Sequence, residues 1–178
     1  MASHDIAALL PQLQQTAWDI QPDCLEAGFK LLIYCTYRSP HEQARLFRQS
    51  RRLRDIAKKA SDLTEAGFPN LSEILLAVGP QPGLLDYHVT NAAPGESWHQ
   101  YRNAFDAVPL LAGKPHWEIS SPLWLQYGKI LLFHGLNWGG SWHSLKDYPH
   151  AQLSPYSSPL SALPKSTILN LSTTEETS

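Results

Sequence analysis

Apolar residues at Leu13, Ala17, Ile20, Cys24 and Leu25 recur close to helical spacing and predict a helix over about 10–27. Pro11 suits its first turn and Gly28 its stop, whereas Pro22 is expected to kink or divide it. Residues 29–37 (FKLLIYCTY) are rich in β-branched and aromatic side chains and read as a buried strand. Beyond that strand Ser39 is placed to cap a helix, with Pro40 at its first position and Glu42 in the capping region. This helix is expected to run through Leu46 and Phe47 toward Lys59. Its basic residues Arg48, Arg51, Arg52, Arg54, Lys58 and Lys59 read as a solvated face, with attraction to an anionic wall polymer as the alternative. Residues 72–78 predict a short helix among loops marked by Pro80, Pro82, Gly83, Pro94 and Gly95, a length of loop that suits a lid or a binding wall.

The second half continues with a strand over 104–108. Leu123, Trp124, Tyr127, Ile130, Leu131 and His134 then repeat at three and four, giving a helix over 122–134 that Gly135 closes. Residues 136–142 form a Gly-rich turn and 150–153 a short strand. From Ser154 the chain turns to Ser, Pro and Thr without apolar periodicity, so 154–178 is expected to be a flexible tail outside the chemistry. Strand and helix do not alternate regularly. The expected fold is therefore α+β, with helices on one side of a small, largely antiparallel sheet in a single domain over 1–153.

Composition narrows the function. A chain of 178 residues with 43% hydrophobic and 17% charged content is long enough to bury a real core. A net charge of -2 gives no electrostatic case for nucleic-acid binding. No apolar run approaches a membrane span, so no membrane insertion is expected. The N-terminus shows no basic stretch followed by an apolar one, so synthesis for a cytoplasm is expected. Cys24 and Cys35 lie outside any CxxC and are expected as two buried free thiols rather than a disulfide.

Two stretches carry candidate chemistry. Ser97–Asp106 (SWHQYRNAFD) holds a histidine and a carboxylate seven residues apart, and Asp147-Tyr148-Pro149-His150 holds another pair three apart. Two imidazoles and one carboxylate suffice for a catalytic zinc, and the remaining carboxylate can serve as a base. Seven is odd, so His99 and Asp106 cannot share a face of one straight strand. They can reach one site if His99 sits on the incoming loop and Asp106 within the strand.

Three motifs in order also resemble a known family. Tyr37-Arg38-Ser39-x-x-Glu42-Gln43 matches its YRSxxEQ pattern. Ser97-x-His99-x-x-Arg102-x-Ala104-x-Asp106 matches SxHxxGxAxD except at Arg102. Residues 135–142 (GLNWGGSW) with Asp147-x-Pro149-His150 match a GLxWGGxW…DxPH ending. The chain thus resembles the peptidoglycan peptidases related to the vancomycin-resistance D,D-carboxypeptidases, and most of all their L-alanyl-D-glutamate endopeptidase branch of phage endolysin type.

That resemblance implies Zn2+ held by His99, Asp106 and His150, with Asp147 as general base and Arg38 facing a substrate carboxylate or oxyanion. It implies supporting hydrogen bonds from Ser97 and Gln43. Arg102 is either strained, if the usual glycine serves a positive φ, or projects into the groove toward an acidic group of the substrate. His143 is a candidate for the groove lining, and His88 for the pocket wall. The implied partner is the peptidoglycan stem peptide, cut by a monomer made in a host cytoplasm and released through a holin-type lesion. D,D- or L,D-carboxypeptidase trimming is the alternative activity, and a non-catalytic wall-binding relative the alternative of another class.

Overall fold

The computed structural model describes residues 2–49, 51–79, 89–143 and 145–171. In chain order its helices and strands are α1 (Pro11–Glu26), β1 (Lys30–Cys35), α2 (Pro40–Arg48), α3 (Leu53–Glu65), α4 (Pro69–Ala77), β2 (Ala104–Leu111), β3 (Lys114–Pro115), α5 (Pro122–Phe133), β4 (Asn137–Trp138), β5 (His150–Gln152), α6 (Pro159–Ala162) and α7 (Lys165–Leu169). The class is α+β, as the pattern predicts. Contacts divide the chain into two units, Ala2–Tyr37 with Tyr101–Pro155, and Arg38–Gln100 with the residues from Tyr156 on.

The first unit holds the sheet. Its strands run in the order β1-β2-β5-β4, with β3 on β2, and every pairing is antiparallel. Register decides which face each residue serves. Ile33 lies opposite Ala107, and Phe105 opposite Ala151, which in turn lies opposite Trp138. These residues share one face and form a core with Leu13, Ala17, Ile20 and Cys24 of α1 and Trp124, Tyr127 and Leu131 of α5. Burying each large side chain contributes roughly 1.5–3 kcal/mol. That packing holds both halves of α1, which runs through Pro22 as one helix; of the kink or division expected there, division does not occur. The opposite face of the strands carries Asp106, His150 and Gln152 beside apolar Leu32 and Val108, which lie opposite each other in β1 and β2.

The second unit is helical, and it corrects three expectations. The helix predicted from Pro40 to Lys59 is two helices, because Arg52 is extended (ψ 154) and begins α3 as its cap. Nor are all its basic residues solvated. Arg48 donates from Nη1 to the Leu75 carbonyl at 2.9 Å, and Arg51 from Nη2 to that of Thr90 at 2.8 Å. The tail is also not structureless. Ile168 in α7 is fully buried, Asn70 donates to the Leu169 carbonyl at 3.3 Å, and the Lys165 ammonium lies 5.5 Å from the Phe68 ring centre. One apolar anchor in a helix of five residues leaves no periodicity to read. Pro80, Pro82, Gly83 and His88 lie outside the described residues, as do 172–178.

Candidate active site

The polar face of the sheet is built by strand alternation. Asp106 in β2 is the direct partner of His150 in β5, and the His150 Nδ1 lies 3.2 Å from Asp106 Oδ1. Gln152 is two residues on, on the same face, with its Oε1 2.9 Å from His150 Nε2. All three are buried. On the other side a register shift between Ile33 and Cys35 pairs Cys35 with Asp106, which moves the cysteine off the core face. Its sulfur lies within 4.8 Å of an Asp106 carboxylate oxygen. Burial by itself lowers the His150 pKa. The bond and charge of Asp106, with Asp147 and Gln152 adding to them, outweigh that and hold it above the ordinary imidazole value.

The turn that delivers His150 also carries Asp147, and it is fixed from several directions. The His150 N–H donates to the Asp147 carbonyl at 3.2 Å, closing the turn, and the Asp147 N–H donates to Gly139 at 3.1 Å. Trp138 donates from Nε1 to the Tyr148 carbonyl at 2.8 Å. Pro149 O accepts from the Ala107 N–H at 3.1 Å and from the Tyr127 hydroxyl at 3.3 Å. Burial, and then the charge of Asp106, keep the Tyr127 phenol protonated, so it stays a donor. The Tyr148 ring sits edge-on to Trp124 and Trp138, with centroids 6.0 and 5.7 Å away. Trp142 lies against the His150 ring at 5.2 Å. The Gly-rich motif is thus a clamp on the turn.

In the helical unit the other two motifs become local geometry. Ser39 Oγ accepts the Glu42 N–H at 3.1 Å, capping α2. Gln43, fully buried, accepts from Arg38 Nη1 at 3.1 Å and donates to the Ala92 carbonyl at 2.7 Å. The guanidinium is therefore held by an anchored amide. His99 sits in a 3-10 turn (Trp98–Tyr101), almost fully buried, and its carbonyl accepts the Arg38 N–H at 3.4 Å. Ser97 is buried beside it in sequence, and its carbonyl accepts the Gln100 N–H at 3.2 Å.

Comparison with known proteins decides the family. A model described as D-alanyl-D-alanine carboxypeptidase, the VanY family, matches residues 7–120, and a second of the same description from peptidase family M15 matches residues 90–153. The chain belongs to the VanY family of D-alanyl-D-alanine carboxypeptidases. It is also similar to the peptidoglycan L-alanyl-D-glutamate endopeptidase CwlK of Bacillus subtilis (strain 168), 36% identical over 75 residues. That match spans 38% of this chain and 45% of the relative, so less than half of the relative's length is covered.

VanY-family enzymes are metallopeptidases, and the donors seen here fit a metal ion. A buried carboxylate costs several kcal/mol unless a positive partner meets it, and Asp106 and His150 present their donor atoms to each other. Within the sheet unit the structure brings together Asp106, His150 and the turn that begins at Asp147. His99 and Asp106 occupy the loop and the strand that parity demands. Arg38 and Gln43 meet in the helical unit. Arg102 takes the strained alternative: its φ is 59 where the family usually has glycine. Its Nη1 donates to the Ala8 carbonyl at 2.9 Å and its guanidinium lies 4.4 Å from the centre of the Tyr37 ring, so its charge is engaged inside the sheet unit. His143 is exposed. Sequence reasoning missed Cys35 and Gln152. The His150-x-Gln152 spacing was the available signal for the second; the first needed the register shift.

Proposed function

We propose that the chain is a zinc peptidase that hydrolyses the peptidoglycan stem peptide between L-Ala and D-Glu. The observation that carries this reading is the buried Asp106–His150 pair on the polar face of the sheet, with Asp147 opening the same clamped turn. Asp106 and His150 hold the ion, with His99 as the third ligand that the SxHxxGxAxD pattern assigns. Zinc, when bound, supplies Lewis acidity toward the scissile amide carbonyl. The Asp147 carboxylate takes the proton of the attacking water and passes it to the leaving amine. The Arg38 guanidinium, held by Gln43, binds a substrate carboxylate or the developing oxyanion.

The endopeptidase choice is supported by the Asp147-x-x-His150 pattern and by the printed activity of the Bacillus subtilis relative. The family description favours a second reading, release of the terminal D-Ala. Within the first reading the chain acts as a monomeric phage endolysin, made in the host cytoplasm and reaching the wall through a holin-type lesion to cause lysis. Among the described residues no helix is long and apolar enough to cross a membrane.

Digestion of purified sacculi, with the new termini identified by mass spectrometry, tests this. New L-Ala carboxyl and D-Glu amino termini are expected. Free D-Ala alone establishes the carboxypeptidase instead, and intact sacculi with zinc-loaded protein refute both.

A further inference from the structure

Along the strand from Asp106 the sheet's outer face turns from carboxylate to aromatic and aliphatic. In β1 the side chains alternate, with Leu31 and Ile33 turned to the core and Leu32 and Tyr34 exposed. Leu32 lies opposite Val108, two residues along β2 from Asp106, and so on the face that carries Asp106. Tyr34 immediately precedes Cys35, the direct partner of Asp106. Trp117 comes to Tyr34 from the segment after β3, which is tied down where the His116 N–H donates to the Pro109 carbonyl at 2.9 Å. The indole meets the Tyr34 ring edge-on, with centroids 5.6 Å apart and planes at 70°. Such a contact uses one face of one ring, and Trp117 is still 55% exposed. Single exposed apolar residues such as Phe133 are ordinary on a protein surface. This group is set apart by its register with Asp106.

The chemistry of the substrate says what fits there. In the L-Ala–D-Glu linkage proposed as the target, the L-Ala amine is joined to the lactyl group of N-acetylmuramic acid. One amino acid and the lactyl unit thus separate the scissile carbonyl from the pyranose ring, roughly two residue-lengths or about 7 Å. Asp106 and Val108 are also two residues apart along β2, about 7 Å in a strand. On the far side of the bond the peptide carries the D-Glu carboxylate, which the uncharged side chains of Trp117, Tyr34 and Leu32 do not attract. Lys30 stands two residues beyond Leu32, farther again from Asp106. A pyranose has a face lined by C–H groups that an indole covers by dispersion, while its polar substituents stay at the rim in water.

We propose that Trp117, backed by Tyr34 and flanked by Leu32, is a saccharide platform that holds the N-acetylmuramic acid ring beside the scissile bond. The inference rests on the endopeptidase reading above and extends it from the stem peptide to the glycan that bears it.

Two synthetic substrates of one peptide sequence test it, one with N-acetylmuramic acid on the L-Ala amine and the other with an acetyl group. Zinc-loaded wild-type protein should cleave the muramoyl peptide with the higher kcat/KM, the gain appearing in KM. Trp117→Ala should reduce that preference about tenfold, the order expected when a tryptophan anchor is truncated. Trp117→Phe should retain most of it. A wild type without the preference overturns the platform and leaves the endopeptidase reading intact. So does a Trp117→Ala variant that keeps the preference, whether by losing nothing or by losing equally on both substrates. Wild-type dimers in sedimentation that Trp117→Ala converts to monomers overturn it too, because the face then serves a second copy of the chain. A wild type that cuts neither substrate between L-Ala and D-Glu refutes the endopeptidase reading and this inference with it, before any substitution is made.

Discussion

Gly139 is where packing and the proposed chemistry meet most directly. A Cβ added there would collide first with the Asp147 carbonyl oxygen, and would lie 3.0 Å from His150 Cβ and 3.1 Å from Asp147 Cβ. Carbon atoms pack comfortably at roughly 3.5–4.0 Å, so the turn must retreat by several tenths of an ångström to about one. Gly139 has no positive φ, so alanine there brings a steric effect without backbone strain. Overpacking of this kind costs about 1–3 kcal/mol in stability. The larger consequence is at the site, since both Asp147 and His150 ride on the turn, and a misplacement near 1 Å can cost on the order of 10²-fold in rate.

Zinc-loaded Gly139→Ala should therefore release sacculus fragments roughly 10²-fold more slowly than wild type while melting as a single folded species. Ile20→Val, in the α1 core, is the control. It should lower the melting temperature through a loss of about 0.5–1.5 kcal/mol and leave the rate unchanged. A Gly139→Ala rate within a few-fold of wild type, at full zinc content, would refute the coupling of Gly139 to the turn.

Three further outcomes are expected. Asp147→Asn should keep zinc and lose on the order of 10²–10⁴ in rate, whereas Asp106→Asn should lose zinc as well, because a neutral amide is a poor ligand; zinc content measured beside the rate separates the roles, and the reverse pattern means they are exchanged. Arg102→Ala should destabilise more than Arg102→Gly by roughly 1 kcal/mol, since both lose the Ala8 and Tyr37 contacts but only alanine keeps the strain of a left-handed residue; equal melting temperatures would show the strain to be absent. Burial, with Asp23 adding to it, pushes the Cys24 thiol from 9.0 up to about 12. A raised pKa favours the folded chain below the unfolded value, and that advantage is lost as pH rises from about 9 toward 12. Cys24 should resist alkylation in folded protein at neutral pH and react on denaturation, and rapid native labelling would contradict its burial.

What the sequence made legible was local. Ser39 and Pro40 start α2 through a cap that needs only four residues, and Gly135 ends α5. The motifs placed His99 on a turn and Asp106 on a strand because parity constrains a single segment. The missed features depend on pairing between distant segments. Cys35 would share the core face with Ile33 but for a register shift set by β2, some seventy residues away. Arg48 and Arg51 look like any basic helix face until α4 and Thr90 supply carbonyls for them. Ile168 is one of several scattered apolar residues in a Ser/Pro/Thr-rich tail, and only the docked helix shows that it is the buried one.

The alternation in β2 has a consequence for how failures of this protein would look. Phe105 and Ala107 serve the core while Asp106, between them, faces His150. A slip of one residue against β5 would exchange the two sets, sending the carboxylate into hydrocarbon and a phenyl ring toward His150. No chain could be misthreaded here and still be both stable and competent. The strand works as its own proofreader: whatever escapes degradation as a well-folded molecule has its carboxylate facing the right way, and a partly active population would consist of correct molecules mixed with unfolded ones rather than a uniformly impaired species.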